Sequence, residues 1–409
     1  MQLSAPRICC LDLDTFFVSV ERLLDPSLHG LPVVVGALPG GRGVVTSASY
    51  EVRAYGVRSG MPIAQAVALA PQAVFLPTRH SEYSHYSSRV RELAANYSPL
   101  MQIASIDELY LDFTGCERLY RRPGDHSADE TILRTVWQLT DDVERELGLP
   151  SSAGIAANKP VSKVACGLAK PRGVLMVPAG QERDFLAPLP VRKFPGIGPV
   201  AEAELAKLGV TTLGELAVLP AEPLGNVFGI RSAYIRLGVA GLTPSGLGRS
   251  RPAFVEHDPA GELAGSISNE RTFREDVRDP LVLEAMLCGL CERVCWRARK
   301  REARAGTVSL KLRYADFQTV TRSRSVAPTN CERTLIPVVK DMFRQTRVRP
   351  LPIRLLGLTL SRLLRCAEQQ QLFLATGGRA LMTAVDAIRQ RHGFGALKIA
   401  TSAYRRKDG

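Results

Sequence analysis

Three acidic residues lie in two short apolar runs of this sequence. Asp12 follows one run, and Asp107 and Glu108 interrupt the other. The β-branched and aliphatic residues around them predict buried strands. A buried carboxylate is costly unless another group compensates its charge, and no basic residue adjoins any of the three in the sequence. Alternation along the strand predicts that Asp14 shares a face with Asp12.

Carboxylates that converge on one site repel each other, and a bound divalent cation removes that repulsion. Hard oxygen ligands of this kind suit Mg²⁺. Two such ions can bind the attacking and leaving oxygens of a phosphoryl or nucleotidyl transfer. The acids therefore predict a metal-dependent transfer site. The alternative interpretation is that they only end strands at the protein surface.

Strand-like and helical patterns alternate over residues 1–170, as expected for an α/β or α+β domain. The second acidic run predicts a hairpin with Asp107 and Glu108 near its turn. The predicted elements are strands at Leu31–Val35, Gly43–Ser47, Met101–Ile106 and Leu109–Phe113, and helices at Pro62–Ala70, Tyr83–Tyr97 and Ile132–Leu147.

Residues 171–240 predict short helices joined by short loops. The segment Phe194–Gly198 has the pattern of a helix-hairpin-helix turn, in which Gly196 and Gly198 allow the backbone to approach a phosphate closely. Leu224–Gly238 resembles a weaker second copy. A glycine-rich connector between helices is the alternative for either copy, and Glu202 is larger than the residue usual at its position in such motifs.

Residues 241–250 are rich in Gly and Ser and predict a tether. Beyond it, residues 251–365 mix strand and helix patterns. The predicted elements are strands at Thr307–Tyr314, Thr319–Ser323 and Arg354–Leu363, and helices at Pro280–Lys300 and Leu335–Gln345.

The chain has 409 residues, so about two to four domains are expected. Its net charge is +13, and residues 244–365 contribute 23 Lys and Arg against 13 Asp and Glu. Such a concentration of positive charge predicts a polyanionic partner, and the alternative is a basic surface that only favours solubility.

Cysteine usage and hydropathy indicate a cytoplasmic protein without a membrane span. No apolar stretch reaches the length of a bilayer, and Asp12 and Asp14 interrupt the only early apolar run, which excludes a signal-peptide pattern. The nine scattered cysteines predict reduced thiols. Cys288, Cys291 and Cys295 lie on one face of a predicted helix, which favours core packing over a metal site.

Several motifs follow one another in a set order and together resemble the Y-family, or translesion, DNA polymerases, and within them the DNA polymerase IV group. The resemblance extends from about Arg7 to about Leu363. The matching segments are Asp12–Glu21, Pro32–Gly36, Ser47–Val57, Ser105–Glu108, Ala153–Lys159 and Ala169–Gly173.

The resemblance implies an α+β multidomain fold with the right-hand architecture of polymerases. It divides the chain into a palm (1–17 and 80–170), fingers (18–79), a helical thumb with the hairpin motifs (171–240), a linker (241–250) and a DNA-binding little finger (251–365). Residues 366–409 would form a C-terminal tail.

The resemblance also implies a template-directed DNA polymerase that copies damaged DNA at low fidelity and has no proofreading exonuclease. By this resemblance two Mg²⁺ ions are held by Asp12, Asp107, Glu108 and the backbone carbonyl of Leu13. The residues that would contact the nucleotide are Phe16, Phe17, Ser47, Tyr50, Arg53 and Lys163. The ring of Phe17 would exclude ribonucleotides as a steric gate. Asp14 would lie beside the metal ligands without binding metal itself.

The implied partners are primer-template DNA and deoxynucleoside triphosphates, with the protein acting as a monomer. In the tail, Gln369, Leu372 and Phe373 belong to a segment that resembles the sliding-clamp-binding motif of bacterial polymerases. Three alternatives remain open. A palm-type nucleotidyl cyclase would share the acids, a non-catalytic relative would share the fold, and a DNA-binding repair protein would share the hairpins and the charge.

Overall fold

The computed structural model describes residues 5–242, 262–263, 265–365 and 377–403. The chain forms two compact units, Met1–Ala253 and Phe254–Gly409. In chain order the first unit contains β1 (Ile8–Leu13), α1 (Phe16–Leu24), β2 (Val33–Gly36), β3 (Val45–Ala48), α2 (Tyr50–Arg53), α3 (Ile63–Leu69), β4 (Val74–Pro77), α4 (His80–Ala94), β5 (Met101–Ile103), β6 (Glu108–Asp112), α5 (Glu117–Tyr120), α6 (Ala128–Leu147), β7 (Ser151–Ala156), α7 (Lys159–Ala169), β8 (Val174–Met176), α8 (Glu182–Leu186), α9 (Pro199–Lys207), α10 (Leu213–Val218), α11 (Ala221–Phe228) and α12 (Ser232–Val239).

The main sheet of the first unit has the strand order β5-β6-β1-β7-β8. β1 is central and pairs antiparallel with both β6 and β7. Because side chains alternate along a strand, Cys9 and Leu11 point into the large core under one face. Ile8 and Cys10 point to the other face, where they pack with Tyr110 and with α7. Strand β8 lies in the range predicted for the thumb, but it pairs with β7 at the edge of this sheet.

Two long helices cover the core face of this sheet. α6 begins at a Ser127 cap, whose hydroxyl accepts the Glu130 N–H, and it ends at Gly148 in the left-handed conformation. Its apolar stripe includes Ile132, Val136 and Leu139, all fully buried. α4 contributes buried residues to the same core.

On the opposite face, α7 approaches the sheet closely because Gly154 has no side chain. A Cβ at residue 154 would lie 2.1 Å from the Cys166 amide nitrogen and 2.1 Å from the Ser162 carbonyl oxygen. The glycine therefore fixes how near α7 can lie to β7. Since Cys10 is opposite Gly154 in the sheet, the same contact brings α7 to β1.

A separate small sheet, β3-β2-β4, forms between α1 and α4 in the sequence. It has its own core, which includes Val34, Val45 and Val52. α2 starts at Ser49, whose hydroxyl accepts the Val52 N–H. The short helices α8 to α12 form a further core around Phe194, and their cluster corresponds to most of the range predicted for the thumb.

The second unit contains β9 (Glu262–Leu263), β10 (Ile267–Val277), α13 (Pro280–Lys300), β11 (Ala303–Tyr314), β12 (Thr319–Thr329), α14 (Glu332–Thr346), β13 (Ile353–Arg365) and α15 (Gly377–His392). Its antiparallel sheet has the order β10-β13-β11-β12, with β9 paired to β13. α13 and α14 pack on one face. Cys288, Cys291 and Cys295 are buried on α13, as predicted for core residues.

α15 is held against α13 and α14 by buried ion pairs. The guanidinium of Arg389 contacts the Glu292 carboxylate, and Arg299 bridges Glu332 at 2.8 Å and Asp386 at 2.5 Å. Each buried carboxylate in this group faces an arginine, which compensates the cost of its burial.

The α+β class predicted from the sequence is confirmed, and the differences are local. The hairpin strand predicted to reach Ile106 ends at Ile103, because the amides of Ala104 and Ser105 both donate to the Glu108 carbonyl and strand pairing stops there. α4 ends at Ala94 rather than Tyr97, since its last amides shift to tighter i−3 bonds. In the second unit, β10 was not predicted and β12 is longer than predicted.

We predict that Gly154→Ala destabilises the first unit by about 3 kcal/mol, because backbone atoms must move to admit one methyl group. Gly167→Ala, on the exposed side of α7 where no atom lies within 4 Å, is the matched control. It should stabilise the helix by about 0.5–1 kcal/mol. Urea denaturation of both variants measures these changes, and equal stabilities would contradict the proposed close contact.

Candidate active site

Strand pairing brings the predicted acids together at one end of the main sheet. Asp12 and Glu108 are directly opposite each other on β1 and β6. Asp107 is in the turn just before β6, and its carbonyl accepts the Leu13 N–H at 3.0 Å. The charges of Asp107 and Glu108 both act on Asp12. The three residues therefore form one local acidic group.

Two lysines compensate the negative charge of this acidic group, although no basic residue adjoins the acids in the sequence. The ammonium of Lys170 contacts the Asp12 carboxylate and lies 3.6 Å from Asp14. The ammonium of Lys163 contacts Glu108. Lys163 is on α7 and Lys170 follows it directly, so the close approach of α7 to the sheet places both cations.

Burial and the neighbouring lysine shift the pKa of Asp12 in opposite directions. Burial raises the pKa of Asp12 to about 6, Lys170 opposes that rise, and Asp107 and Glu108 add to it. Burial alone would lower the pKa of Lys170, but the charges of Asp12 and Asp14 outweigh burial and raise it. The lysines are therefore held as cations against the acids.

Glu108 is buried beneath the site rather than exposed in it. Its Oε1 lies 3.7 Å from the Cys10 thiol. Burial raises the pKa of Tyr110, and the nearby Cys10 and Glu108 raise it further. Tyr110 and Cys10 thus surround Glu108 with neutral groups, while Lys163 supplies its counter-charge.

An open cleft of about 160 Å³ lies above this acidic group. Seven residues predicted from the sequence line it: Asp12, Leu13, Phe16, Phe17, Ser47, Arg53 and Asp107. The predicted residues Glu108, Tyr50 and Lys163 lie outside its lining. Four lining residues were not predicted: Thr15, Thr46, Ser59 and Lys170. The motif around Lys170 was visible in the sequence, but nothing local marked the lysine as a partner of Asp12.

Asp14 is not on a strand face with Asp12, because β1 ends at Leu13. The backbone turns at Thr15, whose φ of 45° is unusual for a β-branched residue. The buried Asp14 carboxylate accepts the Ser152 hydroxyl at 2.7 Å and the Arg172 N–H at 2.8 Å. The Tyr50 hydroxyl donates to it at 3.4 Å. Asp14 therefore links the main sheet to α2.

Arg53 and Tyr50 support each other at the edge of the cleft. The Arg53 guanidinium lies 4.8 Å from the centre of the Tyr50 ring, and its Nε donates to the Ala48 carbonyl at 3.0 Å. These contacts orient a cationic donor toward the cleft opposite the acids.

Oxygen atoms are the donors that the three acids offer, which fits a hard divalent cation. Within the described ranges, however, no three acidic, His or Cys side chains are grouped so that they could hold a metal ion. The lysine ammonium groups neutralise Asp12 and Glu108 instead. The donor chemistry fits Mg²⁺, and a metal ion would compete with Lys170 and Lys163 for these oxygens.

The two predicted hairpin turns lie side by side. Gly196 has a φ of 96°, and its carbonyl accepts a hydrogen bond from Arg231 at 2.9 Å. Arg231 belongs to the turn between α11 and α12, so it joins the second turn to the first. Gly198 leads into α9, as expected for a turn that presents a helix N-terminus.

Other features lie away from the cleft or outside the described residues. A cavity of about 600 Å³ between α4 and α6, lined in part by Tyr97, Tyr120 and Arg134, shares no residue with the cleft. Gln369, Leu372 and Phe373 lie outside the described residues. Among the helices that the structure describes, none is both long and apolar enough to cross a bilayer.

Comparison with known proteins relates both units to one family. Residues 11–167 match the impB/mucB/samB family, residues 180–210 match the IMS family HHH motif, and residues 264–374 match the impB/mucB/samB family C-terminal domain. A DNA polymerase IV of Dehalococcoides mccartyi (strain CBDB1) is 36% identical, over 99% of this chain and 100% of the relative. A DNA polymerase IV of Desulfatibacillum aliphaticivorans is 38% identical over 95% of each.

Solved structures agree on the fold. A Y-family DNA polymerase chimera of Dbh and Dpo4 has a TM-score of 0.74 at 24% identity, covering 88% of this chain and 99% of its own. A DinB structure from Sulfolobus solfataricus has a TM-score of 0.57 at 23% identity, with the same coverage. The polymerase architecture predicted from the sequence is confirmed.

We predict that Asp14→Ala lowers the free energy of unfolding by about 3 kcal/mol, because the Ser152 hydroxyl and the Arg172 amide lose their buried acceptor. Asp141→Ala, at an exposed position of α6, is the control and should change it by less than about 0.5 kcal/mol. Guanidinium denaturation compares the two variants. Equal stability would show that Asp14 does not link these segments.

Proposed function

Because the chain belongs to the impB/mucB/samB family and is a Y-family DNA polymerase of the DNA polymerase IV type, we propose that it adds deoxynucleotides to a primer 3′ end by a two-metal-ion mechanism. It would copy past damaged template positions at low fidelity, without a proofreading exonuclease. The single observation that supports the catalytic mechanism best is the register of β1 and β6, which sets Asp12 opposite Glu108 beside Asp107 at a cleft.

The acids would hold two Mg²⁺ ions through the carboxylates of Asp12, Asp107 and Glu108 and the Leu13 carbonyl. When bound, such ions lower the pKa of the attacking 3′-hydroxyl and stabilise charge on the leaving oxygen. The protein fixes the positions of these oxygens. Asp12 and Glu108 belong to paired strands, and the Leu13 N–H donates a hydrogen bond to the Asp107 carbonyl.

The positive groups of the site would receive the triphosphate. Arg53 lines the cleft and is oriented by Ala48 and Tyr50. Lys163 contacts Glu108, so it would exchange this partner for a phosphate when a cation neutralises the acid. Ser47 lines the same wall and offers a hydroxyl donor. Donors fixed in place before reaction stabilise developing negative charge most effectively.

Phe17 would act as the gate against ribonucleotides, with Phe16 beside it. Both line the cleft, and their ring centres are 5.6 Å apart. A bulky ring at the sugar position would clash with a 2′-hydroxyl but leave room for the hydrogen of a deoxyribose. The role is supported by the position of Phe17 as the second residue of α1, four residues after the strand that carries Asp12.

The second unit would bind primer-template DNA through the sheet face that its helices leave uncovered. Along β11, Leu310 and Leu312 are buried under the helices, while Lys311 and Arg313 alternate to the other face. The Ser309 hydroxyl lies there too, 2.7 Å from that of Ser323. Cations and hydroxyl donors in one plane suit a phosphate backbone. The joined hairpin turns of the first unit would contact phosphates as well.

The remaining partners are proposed from the sequence. The segment with Gln369, Leu372 and Phe373 would bind an apolar pocket of a sliding clamp and so raise the effective concentration of the enzyme at the primer end. We also propose a cytoplasmic monomer.

We predict that Asp107→Ala reduces nucleotide addition at least about 100-fold, because the site loses a metal ligand at the reacting phosphate. Asp107 lies in a turn and is partly exposed, so folding and DNA affinity should change little. Primer extension with one labelled substrate in Mg²⁺ measures the rate. Asp141→Ala serves as the control, and a wild-type rate in Asp107→Ala would refute the metal assignment.

We also predict that a chain ending at Ala240 binds primer-template DNA weakly and with a shallower dependence on salt, because it lacks the unit with most of the excess positive charge. The first unit has its own cores and should remain folded, which a thermal melt can verify. Full-length Lys311→Gln with Arg313→Gln should reduce the salt slope by at most about 2. Unchanged affinity and slope in the shortened chain would place the DNA site in the first unit.

A further inference from the structure

The ring of Phe17 rests on a second aromatic ring that belongs to another helix. Tyr83 of α4 stacks against it, with ring centres 4.1 Å apart and planes 13° apart. Tyr83 is fully buried, whereas Phe17 also faces the cleft. His80 lies edge-on to Phe17 at 6.0 Å. Phe17, the proposed gate, is therefore supported by a buried ring that does not itself line the cleft.

The supporting ring is in turn fixed by a buried carboxylate. Glu21 lies one helical turn after Phe17 on α1, on the same side of the helix. Its Oε1 accepts the Tyr83 hydroxyl at 2.5 Å and the Arg79 Nε–H at 3.0 Å. The second Glu21 oxygen contacts the other end of the same guanidinium. Both oxygens are thus occupied by donors from α4 and its N-terminal cap.

These contacts close a ring of interactions between the two helices. Tyr83 is held at its face by Phe17 and at its hydroxyl by Glu21, and both partners come from α1. The side chain of Glu21 is only 1% exposed, while that of Arg79 is 45% exposed. Paired, bidentate geometry of this kind fixes orientation as well as charge. Tyr83 consequently has little freedom to move away from Phe17.

We propose that Glu21 is a positioning residue for sugar selection, which acts through Tyr83 to keep the Phe17 ring from yielding to a ribose 2′-hydroxyl. The inference rests on the proposed polymerase function and on Phe17 as the gate. An apolar pocket rejects a substrate that merely adds a hydroxyl only weakly, about 100-fold. Strong rejection by a clash requires that the clashing ring cannot shift, and the Glu21–Tyr83 contact supplies that resistance.

The test compares kcat/KM for a deoxynucleotide and for the matching ribonucleotide in full-length variants. Glu21→Leu removes the acceptor and should lower the deoxy-to-ribo ratio about tenfold, mainly by improving ribonucleotide use. Glu21→Gln keeps an oxygen that can accept the Tyr83 hydroxyl, so it should retain most of the ratio. Tyr83→Phe keeps the stacked ring and loses only the hydroxyl. It should match Glu21→Leu, and the double variant should add nothing further.

A merely structural role for Glu21 would give a different result. Thermal melts accompany each assay, and Glu92→Gln, at an exposed position of α4, is the control for charge removal on this helix. If Glu21→Leu and Tyr83→Phe melt at lower temperature but keep the wild-type sugar ratio, the inference is wrong. Phe17→Ala sets the largest change expected, and an unchanged ratio in that variant would also overturn the inference. If the wild-type protein extends no primer at all, the proposed function itself fails.

Discussion

The structure depends on balancing negative charge at one end of a buried sheet. Asp12 and Glu108 lie opposite each other, and a group of like charges in a partly dry site is unstable without cations nearby. The strand order meets this requirement, because β7 lies beside β1 and the chain passes from β7 directly into α7. The helix and the residues after it bring Lys163 and Lys170 to the acids. The strands that carry the acids and the helix that compensates their charge are thus parts of one electrostatic arrangement.

Structural features that depend only on residues close together in the chain could be predicted from the sequence. The acids, the strands that carry them and most helices follow from local alternation and periodicity. The lysine partners could not be predicted from these patterns, since Lys163 is 55 residues from Glu108 and Lys170 is 158 residues from Asp12. The placement of Asp14 on a strand face with Asp12 was wrong, because the strand ends at Leu13 and the backbone turns at Thr15 with an unusual φ. The support beneath Phe17 was missed for a similar reason, since Glu21 and Tyr83 meet across 62 residues.

The two units differ in how their charged groups are distributed. The first unit gathers acids against a small number of cations, and its positive groups near the cleft are already engaged by carboxylates or carbonyls. The second unit holds most of the excess positive charge and carries part of it on an open sheet face, where Lys311 is paired with Glu270. Each unit has its own hydrophobic core. The charge of each unit can therefore be altered separately by substitution.

The absence of a side chain at Gly154 has a consequence for motion within the first unit. Backbone atoms of α7 lie so close to β7 that the helix and the sheet can hardly slide past each other, and the backbone of Lys163 must move with the sheet. Tyr50 and Arg53 belong instead to α2, which packs through Val52 into the separate core of the small sheet. Any opening or closing of the cleft would then change how far these two residues stand from the acids, while the backbone of Lys163 keeps its distance from the strand of Glu108.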